Sequence, residues 1–115
     1  MTMDKPAIRG EQLAHAWAEE LPKHMPNSDH AKVWADEHDD QTVRVHMVNE
    51  GRSSYTFDFK CTYVDSREVK VDLVDVERDR EHIDEHSDIV QELIQTDVRH
   101  IHECAQALRD LTHGG

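Results

Sequence analysis

Glycine is scarce in this chain. Only four glycines stand among 115 residues, and two of them are the closing Gly114-Gly115. A loop that cradles phosphate needs repeated close backbone approach, which so few glycines do not supply. No cofactor is therefore expected. Cysteine is scarcer still, with Cys61 and Cys104 alone. A disulfide-stapled scaffold of this length would need more. Both fall on apolar faces of expected elements and read as reduced, buried thiols. No CxxC pair and no serine-nucleophile signature occurs. No apolar run approaches the ~18 residues of a membrane span. Met1–Gly10 lacks the apolar core of a secretory leader, so the cytoplasm is the expected compartment.

Positive charge is also in short supply. Thirteen Lys and Arg face 25 Asp and Glu, for a net charge of −12. Such a surface repels phosphate backbones and anionic lipid heads. Direct nucleic-acid binding and membrane docking are therefore not expected, whereas a basic partner is easy to accommodate. The acids are unevenly spread. Residues 1–40 carry nine against four bases, residues 41–76 six against five, and residues 77–115 ten against four. The middle third is nearly neutral. Acidity with few lysines also fits a halophilic surface that needs no partner.

What is present is periodic. Leu13, Ala14, Trp17, Ala18 and Leu21 recur at spacings of three and four, the stripe of a helix that Pro22 and Pro26 end or bend. Asn27, Ser28 and Asp29 can cap a second, short helix over His30–His38, anchored by Val33 and Trp34. The acidic run Asp36–Asp40 then reads as a solvated turn.

The alternation of Val43, Val45 and Met47 predicts a strand near 42–48. Tyr55, Phe57, Phe59, Cys61 and Tyr63 predict another over 54–63. Val69, Val71 and Leu73 predict a third over 68–76, with a bulge where Leu73-Val74-Asp75-Val76 breaks the pattern. Short turns at 49–52 and 65–67 join them, so an antiparallel meander follows. Residues 78–87 read as partly helical. Val90, Ile94, Val98, Ile101, Ala105 and Leu108 then mark a long helix reaching the terminal glycines.

The expectation is one α+β domain over residues 1–115. It is a two-layer sandwich, with a three-stranded antiparallel meander covered on one face by N-terminal helices and a long C-terminal helix. A roughly 26-residue helix runs about 39 Å, against about 23 Å for such strands. Its surplus, with Ile101, Ala105, Leu108 and Leu111, is the expected homodimer contact. The order resembles that of double-stranded-RNA-binding domains, in topology alone. Those domains use basic residues at the start of the last helix, where this chain has Glu81, Asp84, Glu85 and Asp88. No binding residue is carried over.

Ten histidines invite a metal reading. His82-Ile83-Asp84-Glu85-His86 matches the inverted zinc-peptidase string H-x-x-E-H, and on a helix His82 and His86 share a face. Zinc sites normally take three or four ligands, so a pair alone predicts no stoichiometric metal. His100, His102, Glu103 and Cys104 scatter around a helix. The polar sheet face, with Arg44, His46, Asp58, Lys60, Lys70 and Asp72, is the expected docking surface for a protein partner. A flat meander face offers no pocket for catalysis. The sequence thus points to a non-catalytic interaction domain: an adaptor, chaperone or regulatory subunit. The alternatives are an acidic nucleic-acid mimic that blocks a DNA-binding protein, and a small metal-binding protein using His82 and His86.

Overall fold

The structure is a computed structural model that describes residues 5–49, 55–78, 81–82 and 88–113. Helix α1 (Glu11–Glu20) is followed by a 3-10 turn over Leu21–His24, where Pro22 ends regular α-helical bonding. Strands β1 (Asp29–Ala35), β2 (Thr42–Asn49), β3 (Tyr55–Tyr63), β4 (Val69–Arg78) and the two-residue β5 (Glu81–His82) come next. Helices α2 (Asp88–Ala107) and α3 (Arg109–His113) close the chain. The sheet runs β1-β2-β3-β4-β5, with every neighbour antiparallel. Four full strands and a stub therefore replace the expected three.

The extra strand is the segment assigned from its pattern to a short helix. Asp29–Ala35 pairs along its whole length with β2, from Asp29 opposite Asn49 to Ala35 opposite Val43. Ala31, Val33 and Ala35 face inward, while His30, Lys32 and Trp34 face out. A full ladder of backbone hydrogen bonds outweighs the small helix preference of two alanines. α1 packs mainly over β1, where the small side chains of Ala31 and Ala35 let it approach. Of residues 78–87, read as partly helical, Arg78 closes β4 and Glu81–His82 is strand. The rest of the proposed H-x-x-E-H helix, residues 83–87, lies outside the described residues. With four full strands, the order also departs from the helix–three strands–helix resemblance.

The three strands read from alternation do form a meander, with Val45 opposite Phe59 and Phe59 opposite Leu73. Asp58 faces Asp75 while Phe59 faces Leu73, so Val74 is the bulged residue. Trp17, Leu21, Val45, Met47, Phe57, Phe59, Val76, Val90 and Ile101 share one core. The Trp17 indole N–H donates to the Tyr63 hydroxyl at 3.2 Å, which satisfies the one polar atom that a buried indole carries.

The turn between β1 and β2 contains no glycine or proline, and aspartates shape it instead. Asp36 accepts from the backbone N–H groups of His38 and Asp39, at 3.0 and 3.1 Å. Asp39 accepts from the Gln41 N–H and the Thr42 hydroxyl, at 2.9 and 2.8 Å. Such side chains mimic a backbone turn.

The C-terminal helix does not run straight to the end. It breaks at Leu108, whose carbonyl takes both the Leu111 and the Thr112 N–H. α3 then returns to the body. The Ala7 N–H donates to the Thr112 carbonyl at 2.7 Å. Arg67 donates to His113 Nε2 at 3.1 Å, leaving Nδ1 to carry the ring proton to Ser66 Oγ at 2.9 Å.

Candidate functional site

Helices cover one face of the sheet, and the other carries four cross-strand rows of side chains. The first is Thr42, Thr62 and Lys70. The second is Trp34, Arg44, Lys60 and Asp72. The third is Lys32, His46, Asp58 and Asp75, and the fourth is His30, Val48, Thr56 and Glu77. The six residues Arg44, His46, Asp58, Lys60, Lys70 and Asp72, expected to form a docking surface, therefore share this outer face. The strand period of two guarantees this once the register is set.

Two polar contacts organise the face. The Nδ1–H of His46 donates to Asp58 Oδ1 at 2.6 Å, across β2 and β3. Arg44 Nε donates to Asp36 Oδ1 at 2.8 Å. That guanidinium, with the two turn N–H groups, holds the Asp36 carboxyl below the usual carboxylate range.

Sequence reasoning missed Trp34 and Val74. Trp34 is 47% exposed and Val74 is 53% exposed. With Arg44 and Asp58 they border one shallow depression of about 240 Å³. The signal for Trp34 was available, since His30, Lys32 and Trp34 alternate with Ala31, Val33 and Ala35. It was masked because the largest side chain faces out and the smallest face in.

The residues expected to mediate dimerisation lie elsewhere. Ile101, Ala105 and Leu108 are buried within the single chain, and Leu111 alone of the four is exposed. The break at Leu108 and the docking of α3 supply the cover that a straight helix would lack.

A second feature was also missed. Asp97 lies on the buried stripe of α2, only 2% exposed, and accepts from the Asn49 side-chain amide at 2.9 Å. Burial pushes its carboxyl up to about 6; the Asn49 bond opposes this, and the nearby Asp29 carboxylate adds to it. The spacing Val90, Ile94, Asp97, Ile101, Cys104 runs in fours and threes and would have found it. Asp97 borders a cleft of about 290 Å³ with Pro26, Asp29, Leu93 and His100.

Burial pushes the Cys61 thiol far above its usual range and the Cys104 thiol up to about 12, so neither forms a thiolate nucleophile at neutral pH. His100 Nδ1 donates to Glu103 on its own helix at 3.1 Å, while Cys104 points into the core. Among the described residues, no three His, Cys, Asp or Glu side chains gather as a metal set. His86 and the His82 side chain lie outside that description. No helix among the described residues is long and apolar enough to cross a membrane. No family model, curated protein or solved structure matches the chain.

Proposed function

We propose that this chain is a non-catalytic protein-interaction domain that engages its partner through the outer face of the sheet. The observation that carries the reading is the exposure of Trp34, 47% open, which borders one depression with the 53% exposed Val74. Both stand on a face whose strand positions hold Lys32, Arg44, Lys60 and Lys70 against Asp58, Asp72, Asp75 and Glu77. Its charges balance in a chain of net −12. Tryptophan is enriched among the few side chains that carry most of an interface's energy. The surrounding ladder of opposite charges sets orientation and excludes wrong partners.

The test is capture by the immobilised intact chain, comparing the parent with Trp34→Asp. Trp34 is exposed, so the variant should keep the fold, which Trp17 fluorescence reports. The expected result is loss of bound protein with the variant. Undiminished capture by folded Trp34→Asp overturns the reading. Salt-sensitive capture of a DNA-binding protein by parent and variant alike would favour the nucleic-acid mimic instead.

A further inference from the structure

We propose that the cleft between α2 and the polar ends of β1 and β2 binds a primary alkylammonium ion, with the Asp97 carboxylate as its counter-charge. The site lies on the helix-covered side of the sheet and does not rest on the reading of the outer face.

The inward positions of β1 and β2 are apolar along most of their length and polar at one end. β1 carries Ala31, Val33 and Ala35 on that side and then Asp29. β2 carries Val43, Val45 and Met47 and then Asn49, directly opposite Asp29. α2 brings Asp97, the one carboxyl on its buried stripe, to the same place. Three elements thus gather polar side chains where apolar ones would have closed the core. A cleft of about 290 Å³ opens there.

Asp97 and Asn49 are only 2% and 4% exposed. They satisfy each other once, through Asn49 Nδ2 and Asp97 Oδ2 at 2.9 Å. Among the described residues, no donor reaches Asp97 Oδ1 or Asn49 Oδ1. No buried side-chain oxygen among those residues lacks both a partner and contact with solvent. Both oxygens therefore open onto the cleft that their residues line.

The other donors around the cleft are already committed. The Ser28 hydroxyl donates to Asp29 at 3.4 Å, the Thr96 hydroxyl to the Glu92 carbonyl at 3.0 Å, and His100 Nδ1 to Glu103 at 3.1 Å. No lysine or arginine lines the cleft, whereas Asp29, Glu92 and Asp97 do. Acceptors and negative charge call for a cation with N–H donors. No three of the described acids, histidines and cysteines gather as a metal set, which disfavours a bare ion. A guanidinium fork takes both oxygens of a carboxylate, and Asn49 already holds Oδ2. An ammonium needs only Oδ1, and its alkyl stem can lie along Leu93 and Pro26. Burial pushes the Asp97 carboxyl up to about 6, and a bound cation offsets that cost. A free alkylamine and a lysine side chain offer the same ammonium.

Calorimetric titration of the intact chain with n-butylamine, at about 0.15 M salt to screen diffuse attraction, tests this. The expected Kd at pH 7 is on the order of 0.1–1 mM. The neutral isostere n-butanol should not bind. Binding should weaken about tenfold at pH 5, where Asp97 is mostly protonated. Protonated His100 repels the ammonium and acts in the same direction, while Asp29 and Glu92 attract it. Asp97→Asn and Asp29→Asn should each weaken binding roughly tenfold or more. Glu19→Gln, which removes one exposed acid from α1, should leave it unchanged. Nα-acetyl-lysine amide separates the two sources. Tighter binding than n-butylamine assigns the cleft to a partner's lysine, and weaker binding assigns it to a free amine; either upholds the ammonium site. No heat from either amine up to about 10 mM overturns the proposal. So does n-butanol binding as well as n-butylamine, or undiminished binding by Asp97→Asn that unfolds in urea as a folded chain does.

Discussion

The side-chain amide of Asn49, the last residue of β2, donates to the buried carboxylate of Asp97 in the middle of α2. One hydrogen bond at 2.9 Å thus pins the long helix to the sheet. The arrangement is costly at neutral pH, where the Asp97 carboxyl, pushed up to about 6 from 3.8, is ionised in a buried site.

The sign of the pH effect follows from that shift. The folded state holds the Asp97 proton more tightly than the unfolded state. Its contribution to stability is therefore full below about pH 3.8 and is lost as pH rises through about 6. The full loss is roughly 3 kcal/mol as an upper bound. Asp97→Asn keeps the shape without the charge. The variant should be more stable than the parent at pH 7, by about 1–3 kcal/mol. The gap should close toward pH 4, as read by urea denaturation. A gap that does not vary between pH 4 and 7 would contradict the burial of this carboxyl.

Phe57 and Phe59 are wholly buried, their ring centroids 6.3 Å apart on the helix-covered side of β3. Truncation of either to alanine should cost about 3–5 kcal/mol, since a well-packed site collapses only partly around a lost ring. Thermal or urea unfolding measures it. A cost below about 1 kcal/mol would mean that the ring does not sit in the core.

The two cysteines offer a third check. Both are fully buried, and burial keeps both thiols protonated at neutral pH. A soluble disulfide reagent should react with neither in the folded chain and with both in urea. Prompt labelling of one thiol under native conditions would show that its surroundings open.

Much of this architecture is legible in the residues. Tyr55 to Tyr63 alternates without a break, and that period places Phe57 and Phe59 inward and Asp58 and Lys60 outward. The unmatched run Leu73-Val74-Asp75-Val76 marks the bulge, which the structure places at Val74. β1 is illegible for a physical reason. Its buried side is built from Ala31, Val33 and Ala35, while its largest apolar residue, Trp34, faces solvent. Size and burial run opposite to the usual relation, and Asn27-Ser28-Asp29 imitates a helix cap.

The break at Leu108 is hidden in the same way. No glycine or proline announces it, and tertiary bonds from Ala7 to Thr112 and from His113 to Ser66 hold the returned end. The outer sheet face shows both sides of the matter. Its six charged and polar members follow from strand period alone, but Trp34 becomes visible only once β1 is known to be a strand.

The central claim is that the outer face, and not the helical side, meets other protein. Photo-crosslinking inside the cell that makes the chain tests it most directly. A photoreactive phenylalanine analogue would replace Trp34 or Val74 on the sheet face. In separate chains it would replace His15 or Leu111 on the helical side; all four positions are exposed. Efficient adducts from positions 34 and 74, with few from 15 and 111, are the predicted result. Adducts confined to positions 15 and 111 would contradict the account.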